Sequence, residues 1–317
     1  FANHSAVSVV WNFLYAVQKM NKLKYADNFF DKGKTEQYFD RLISSSDSTT
    51  KFLKTDRPNV IIIVMESFTS RFIEAVGGLP GVTPRFNALV KEGILFDRFY
   101  SSGVRTDKGI VAILNGYPSQ PLTSIIKEPR RTKSLPYLNL KFKEVGYRTE
   151  FTYGYNINYA NFNSYLIHAG FDHVTHSADF PLELNTSKWG VHDEFVFEKF
   201  FEETQQVSSP FFKIMMTQSS HEPFDVPMET VIEGKDEISQ FLNSAYYADK
   251  QLGIFIDKAK KTSWWDNTLV VITADHGHLY PNNPGVSNPD RYKIPMLWLG
   301  GALNTTDTVI HAVSCQT

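Results

Sequence analysis

Cysteine is almost missing from this chain: Cys315 is the one thiol in 317 residues. No intrachain disulfide can form, and a thiolate-rich zinc site is excluded. Long apolar runs are missing as well; none reaches the roughly 18 residues that would cross a bilayer. There is no basic excess. Lys and Arg number 32 against 34 Asp and Glu, a formal charge of −2, which excludes the electrostatic footprint of a nucleic-acid binder. Low-complexity tracts and internal repeats are absent, and 42% hydrophobic with 21% charged residues excludes a disordered chain. The chain also has no initial methionine, no signal peptide and no closing tail after 309–317 (VIHAVSCQT). It therefore reads as a fragment of a longer polypeptide, and the missing membrane span describes the fragment rather than its parent.

What is present suffices for one large domain or two ordinary ones. Residues 1–56 differ from the rest. Segment 8–30 carries apolar residues at helical spacing (Val9, Phe13, Ala16, Val17, Met20), and Ser44–Thr50 is a polar connector. This predicts one or two helices, either a juxtamembrane linker or an ordinary helical hairpin. The pattern changes at Asn59. The run 59–65 (NVIIIVM) suits a strand buried on both faces of a mostly parallel sheet. Further strands are expected at 94–100, 148–152, 211–217, 268–274 and 294–299. Helical patterns lie between, at 83–92, 106–115, 134–145, 160–169, 190–204 and 236–261. Such alternation predicts an α/β fold with helices on both faces of the sheet.

Ligand sites in open α/β sheets lie off the carboxyl ends of the strands. Glu66 follows the first run. Thr106 opens a helix after the second. Ser219, Ser220 and His221 follow the run at 211–217, and Asp275 with His276 follows 268–274. Taken singly, Thr106 reads as a helix cap, Glu66 as a salt-bridged carboxylate and His221 as a surface histidine. Asp-His-Gly after a buried strand has no ready packing explanation. Together, Glu66, Thr106, Asp275 and His276 offer two carboxylates, an imidazole and a hydroxyl, a set suited to Mn²⁺, Mg²⁺ or Zn²⁺. A cation on the Thr106 oxygen would lower its pKa and favour the alkoxide. The helix start would stabilise negative charge there.

Segments 59–68 (NVIIIVMESF), 105–118 (RTDKGIVAILNGYP), 219–224 (SSHEPF) and 273–277 (TADHG), in this order and spacing, resemble the sulfatase and alkaline phosphatase superfamily. Within it they are similar to the lipoteichoic acid synthase-like branch of phosphoglycerol transferases, over about residues 57–317. The resemblance implies an alkaline-phosphatase-like sandwich and a catalytic domain, 57–317, lacking its last segment. It implies one divalent metal, manganese above zinc or magnesium, on Glu66, Thr106, Asp275 and His276. Thr106 would be the nucleophile, and His221 would contact substrate. N-terminal membrane helices would anchor the parent, with this domain on the extracytoplasmic face of a bacterial membrane.

The activity so implied is transfer of a phospholipid headgroup, of the phosphoglycerol or phosphoethanolamine type, through a phospho-threonine. The partners would be a lipid donor and a glycan or lipid acceptor. Arg105 and Lys108 flank the nucleophile and would add positive charge. The segment 153–162 (YGYNINYANF) departs from the synthases, which place a His, a Trp and an Arg there; this chain has Tyr153, Ala160 and Phe162. Tyr153 and Asn156 would present neutral groups to a headgroup instead, an expectation against efficient glycerol-phosphate polymerisation. A phosphodiesterase or phosphatase would use the same Thr. A sulfatase needs Cys or Ser at that position within a Cys/Ser-x-Pro-x-Arg motif, which Thr106-Asp107-Lys108 does not provide. A non-catalytic binding domain is the reading from another class.

Overall fold

The computed structural model describes residues 8–20, 31–43, 49–121, 123–208 and 210–317. Two compact units divide between Lys51 and Phe52. The first holds α1 (Val9–Met20) and α2 (Lys32–Ile43). Residues 21–30 of the expected first helix and 44–48 of the expected connector lie outside the described residues. The division precedes the 56/57 boundary suggested by sequence, because Leu53 forms an antiparallel bridge with Leu303 and the Lys54 N–H donates to the Ala302 carbonyl at 2.9 Å.

The second unit runs β1 (Asn59–Met65), α3 (Pro84–Leu89), β2 (Ile94–Phe96), β3 (Phe99–Tyr100), α4 (Thr106–Asn115), α5 (Pro129–Thr132) and α6 (Leu138–Glu144). It continues β4 (Arg148–Tyr153), α7 (Phe162–Ala169), β5 (His173–Thr175), α8 (Asp193–Gln206), β6 (Phe211–Met216) and α9 (Glu237–Ala259). It closes with β7 (Thr268–Ala274), β8 (Lys293–Ile294), β9 (Met296–Leu299), β10 (Thr308–Ile310) and β11 (Ser314–Cys315). Eight strands form one sheet in the order β10-β2-β9-β7-β1-β6-β4-β5, and β11-β3-β8 form a small second sheet. In the large sheet every pairing is parallel except the two made by β9.

Successive side chains of a strand point to opposite faces, and β1 shows the consequence. Ile61, Ile63 and Met65 enter one core with Phe72, Phe86, Phe200, Phe241 and Phe255. Val60, Ile62 and Val64 enter the other with Ile110, Leu114, Phe151 and Tyr165. Helices α3, α8 and α9 therefore cover one face and α4 and α7 the other, the layered α/β arrangement that the alternating pattern predicts.

Local chemistry accounts for the differences from the expected elements. The run 94–100 divides into β2 and β3 at a turn over Asp97 and Arg98, and 294–299 divides at Pro295, which has no N–H to give a ladder. The helix expected from residue 134 starts at Leu138, after Pro136. The one expected from residue 190 starts at Asp193, after His192 in extended conformation.

Asp249 of α9 ties the two helices of one layer together. Fully buried, it accepts the N–H groups of Arg85 (2.8 Å) and Phe86 (2.7 Å) in the first turn of α3, whose own N-cap, Thr83, makes no side-chain cap bond. Burial pushes its carboxyl up to about 7. Asp249→Ala leaves one buried and one partly buried N–H without an acceptor and is expected to lower the unfolding free energy by about 1–3 kcal/mol in urea titrations. The folded pKa lies above the unfolded carboxyl value of about 3.9. Stability relative to Asp249→Asn is therefore greatest below about pH 4 and declines as pH rises through 7. A difference that grows with pH over that window would contradict this account.

Candidate active site

The site begins with a register. β1 and β7 run parallel with Met65 opposite Ala274, so the next residue of each strand, Glu66 and Asp275, leaves the sheet at the same level. Both side chains are buried. Ser67 then turns the chain with φ 56°, a left-handed conformation that costs a non-glycine residue energy and gathers at functional sites. Its N–H donates to Asp275 Oδ1 at 2.9 Å and its hydroxyl to Glu66 Oε1 at 2.9 Å. The Glu66 N–H is held by Thr217 Oγ1 at 2.8 Å, from the end of β6.

Thr106 arrives from the other side. Arg105 occupies the N-cap of α4 with extended φ/ψ, and Thr106 is the first helical residue. Its hydroxyl is thereby free of capping. It donates to Glu66 Oε2 at 3.3 Å and lies 3.5 Å from His276 Nε2. Gly109 makes this approach possible, since a Cβ there would stand 2.0 Å from the Asp275 carbonyl oxygen. His276 donates Nδ1–H to the Gly277 carbonyl at 3.0 Å. That bond turns the Nε2 lone pair toward Asp275 Oδ2 (3.4 Å) and Glu66 Oε1 (3.8 Å). One donor atom from each of Glu66, Asp275 and His276 lies within 4.8 Å of the others.

The electrostatics of this cluster call for a cation. Asp275 Oδ2 is buried and has no hydrogen-bond partner. Burial, reinforced by the Asp275 charge, holds the Glu66 carboxyl well above the usual carboxylate range. Two buried carboxylates side by side repel at low dielectric, and a divalent ion relieves both the repulsion and the stranded oxygen. The donor set of two carboxylates, one imidazole and one hydroxyl suits a hard or borderline ion such as Mn²⁺, Mg²⁺ or Zn²⁺.

The cluster opens into a cavity of about 550 Å³. His221 lines it, its Nδ1–H donating to the Glu222 carbonyl at 3.2 Å. Burial pulls its pKa below the usual histidine value. Buried Asp193 fixes the turn before it, accepting the N–H groups of Gln218 (2.8 Å) and Ser219 (3.3 Å). An aromatic wall faces it. The Trp189 ring lies 4.6 Å from His221 and stacks on Tyr155 at 5.7 Å, which stacks on Tyr153 at 5.3 Å.

Tyr153 and Arg105, singled out from the sequence, line this cavity. Arg105 is exposed and sits 3.7 Å from Asp107 Oδ1. Lys108 and Asn156 are not among its lining residues. Two residues from Thr106 on a helix, Lys108 turns about 200° away, and its Nζ donates to the Gln120 carbonyl at 2.5 Å. Asn156 spends its side-chain Oδ1 on the Asn158 N–H at 3.1 Å, a local turn. Lys127, His278 and Arg291 line the cavity but were not marked by sequence pattern. Lys127 and Arg291 come from irregular segments away from the carboxyl ends of the parallel strands. Burial, reinforced by the guanidinium groups of Arg291 and Arg71, pulls His278 down to about 3 and keeps it neutral.

A mostly parallel sheet between two helical layers, with acid, imidazole and hydroxyl groups converging past its strand ends, defines an alkaline-phosphatase-like domain. The structure superposes on that of a protein of the alkaline phosphatase superfamily from Vibrio parahaemolyticus with a TM-score of 0.80 and 27% identity, covering 90% of this chain and 72% of that one. The chain belongs to the Sulfatase family, whose model matches residues 58–314. It is 27% identical to lipoteichoic acid synthase-like YvgJ of Bacillus subtilis (strain 168), over 73% of this chain and 39% of that protein. It is 24% identical to phosphoglycerol transferase I of Escherichia coli (strain 55989 / EAEC), over 72% of this chain and 32% of that protein. The chain thus spans 32–39% of the length of these relatives.

The cluster is expected to bind one divalent ion per chain. Titration of the purified protein with Mn²⁺ should raise its melting temperature, with about 2.7 kcal/mol of stabilisation at a hundredfold excess over Kd. Asp275→Asn and Glu66→Gln should weaken that binding at least tenfold in calorimetry. Undiminished Mn²⁺ affinity in Asp275→Asn would place the ion elsewhere.

Proposed function

We propose that this domain transfers a phosphorylated headgroup from a membrane phospholipid through a covalent phospho-threonine on Thr106. The observation that carries the reading is the position of the Thr106 hydroxyl. It stands at the first turn of α4, off its cap, 3.3 Å from Glu66 and 3.5 Å from His276, on the wall of an open cavity. The kinship with a lipoteichoic acid synthase-like protein and a phosphoglycerol transferase supports it.

In the first displacement Thr106 Oγ1 gives up its proton to solvent and bonds to phosphorus, the bond to the diacylglycerol oxygen breaks, and that oxygen takes up a proton. In the second, an acceptor hydroxyl from a glycan or lipid gives up its proton and its oxygen bonds to phosphorus, the bond to Thr106 Oγ1 breaks, and Oγ1 takes up a proton. A divalent ion, manganese in the first instance, held by Glu66, Asp275, His276 and Thr106, would supply Lewis-acid polarisation. The amides of Thr106 and Asp107, at the start of α4 where N–H groups lack intrahelical acceptors, favour an anionic phosphoryl oxygen. With His221 Nδ1–H engaged by the Glu222 carbonyl, Nε2 is the atom that exchanges a proton with the leaving or entering oxygen. Water as acceptor would make the same site a phosphodiesterase. Formylglycine chemistry of the sulfatase type has no precursor in a threonine.

Tyr153, Tyr155 and Tyr159 give the headgroup an aromatic wall, which favours a cationic group over glycerol-phosphate chain growth. Residues 57–317 form the catalytic part. Its place is the extracytoplasmic face of a bacterial membrane, tethered there by the longer parent.

Thr106→Ala is expected to lower turnover by at least a thousandfold without unfolding the protein, because Arg105 rather than Thr106 holds the cap position. Thr106→Ser should keep part of the activity. Incubation with phosphatidylethanolamine and, separately, phosphatidylglycerol, followed by peptide mass spectrometry, should show a headgroup-phosphate increment on the Thr106 peptide, larger with the former lipid. Turnover in Thr106→Ala near that of the wild type would remove Thr106 from its role. Growth of a glycerol-phosphate chain would contradict the headgroup assignment.

A further inference from the structure

Three cations line the cavity, and they are not equivalent. Arg105 and Lys127 are 69% and 54% exposed in their side chains, and each stands 3.7 Å from the Asp107 carboxylate. Solvent and that shared carboxylate already answer their charge. Arg291 is 9% exposed and, among the described residues, has no carboxylate partner in an ion pair; burial is the main influence on its guanidinium. A buried charge without a counter-charge is costly, and it is retained where a ligand completes it.

Its placement is specific. Arg291 ends a short 3-10 turn, Pro289–Arg291, capped by the Asn288 side chain, which accepts the Asp290 N–H at 3.0 Å. Nη1 donates to the Gly277 carbonyl, the same oxygen that receives His276 Nδ1–H. The backbone is docked just as closely: a Cβ on Gly277 would meet the Arg291 carbonyl oxygen at 2.4 Å. The guanidinium is thus fixed one carbonyl away from the His276 ring. Five N–H donors belong to it, and the Gly277 carbonyl takes one. Neighbouring Arg71 differs. It is surrounded by the carbonyls of His278, Leu279 and Tyr280 and by Asn282 Oδ1, and it does not line the cavity.

We propose that Arg291 is the residue that grips the nonbridging oxygens of the phosphate ester, delivered into the cavity from the connection between β7 and β8. The inference rests on the reading of the cavity as a phosphate-ester site. A planar fork held by packing matches two phosphate oxygens with little ordering cost. It supplies the guanidinium that segment 153–162 lacks, with Phe162 in the cavity lining and no arginine in that stretch.

The test is calorimetric binding of inorganic phosphate to the Mn²⁺-loaded protein, with Mn²⁺ affinity and melting temperature measured beside it. Arg291→Gln is expected to weaken phosphate binding at least tenfold while changing Mn²⁺ affinity by less than threefold. Arg291→Lys, which keeps the charge and loses the fork, should fall between. Equal phosphate affinity in wild type and Arg291→Gln would overturn this inference alone. A parallel loss of Mn²⁺ and phosphate in both variants would make Arg291 a brace for the His276 turn and overturn it too. A wild-type protein that takes up Mn²⁺ but no phosphate would overturn the proposed function and, with it, the inference.

Discussion

The parallel register of β1 against β7 is the constraint on which the rest of the site depends. Because Met65 lies opposite Ala274, Glu66 and Asp275 must emerge together, and the protein buries two carboxylates where their charges repel. A one-residue slip would send every side chain of β1 to the wrong face, so the hydrophobic cores on the two sides of the sheet enforce the pairing. The energy of burying apolar residues such as Ile61 and Ile62 is therefore what holds two like charges together. Ser67 in its left-handed turn, the unpaired Asp275 Oδ2 and the raised Glu66 carboxyl are all consequences of that enforced proximity.

Function follows from how other elements meet this strained pair. The first turn of α4 can approach it because Gly109 has no side chain, and its first residue then offers a hydroxyl rather than a cap. His276 is aimed by one carbonyl, and that carbonyl also anchors Arg291. The Asp193 carboxylate sets the turn that carries His221, and Trp189 packs that histidine against the tyrosine wall. Acid, imidazole, hydroxyl and guanidinium thus come from five separate stretches of chain. Such a site is preorganised before any ligand enters.

Much of this was legible in the sequence, for a physical reason. Strands buried on both faces write themselves as long β-branched runs, as in 59–65 and 268–274, and the topology of parallel sheets makes the residue after each run a candidate. Glu66, Asp275 and His276 were therefore readable, and Thr106 with them as the opening of a helix after such a strand. Short edge strands such as β5, β10 and β11 carry two or three residues and no periodicity, so they were not. Lys108 lies off the cavity because sequence adjacency to Thr106 is not spatial adjacency on a helix. Asn156 lies outside the cavity lining because an asparagine in a turn serves its own backbone. Arg291 and Lys127 left no pattern at all; only the folding of irregular segments brings them to the cavity.

The central claim is that Glu66, Thr106, Asp275 and His276 form one metal centre with the threonine oxygen as a ligand. Anomalous diffraction at the manganese edge, from crystals grown with Mn²⁺, tests it most directly. The account predicts a single strong peak within bonding distance of all four side chains. A peak that bonds the two carboxylates and His276 but leaves Thr106 Oγ1 outside its coordination shell, or no peak at this position, would contradict it.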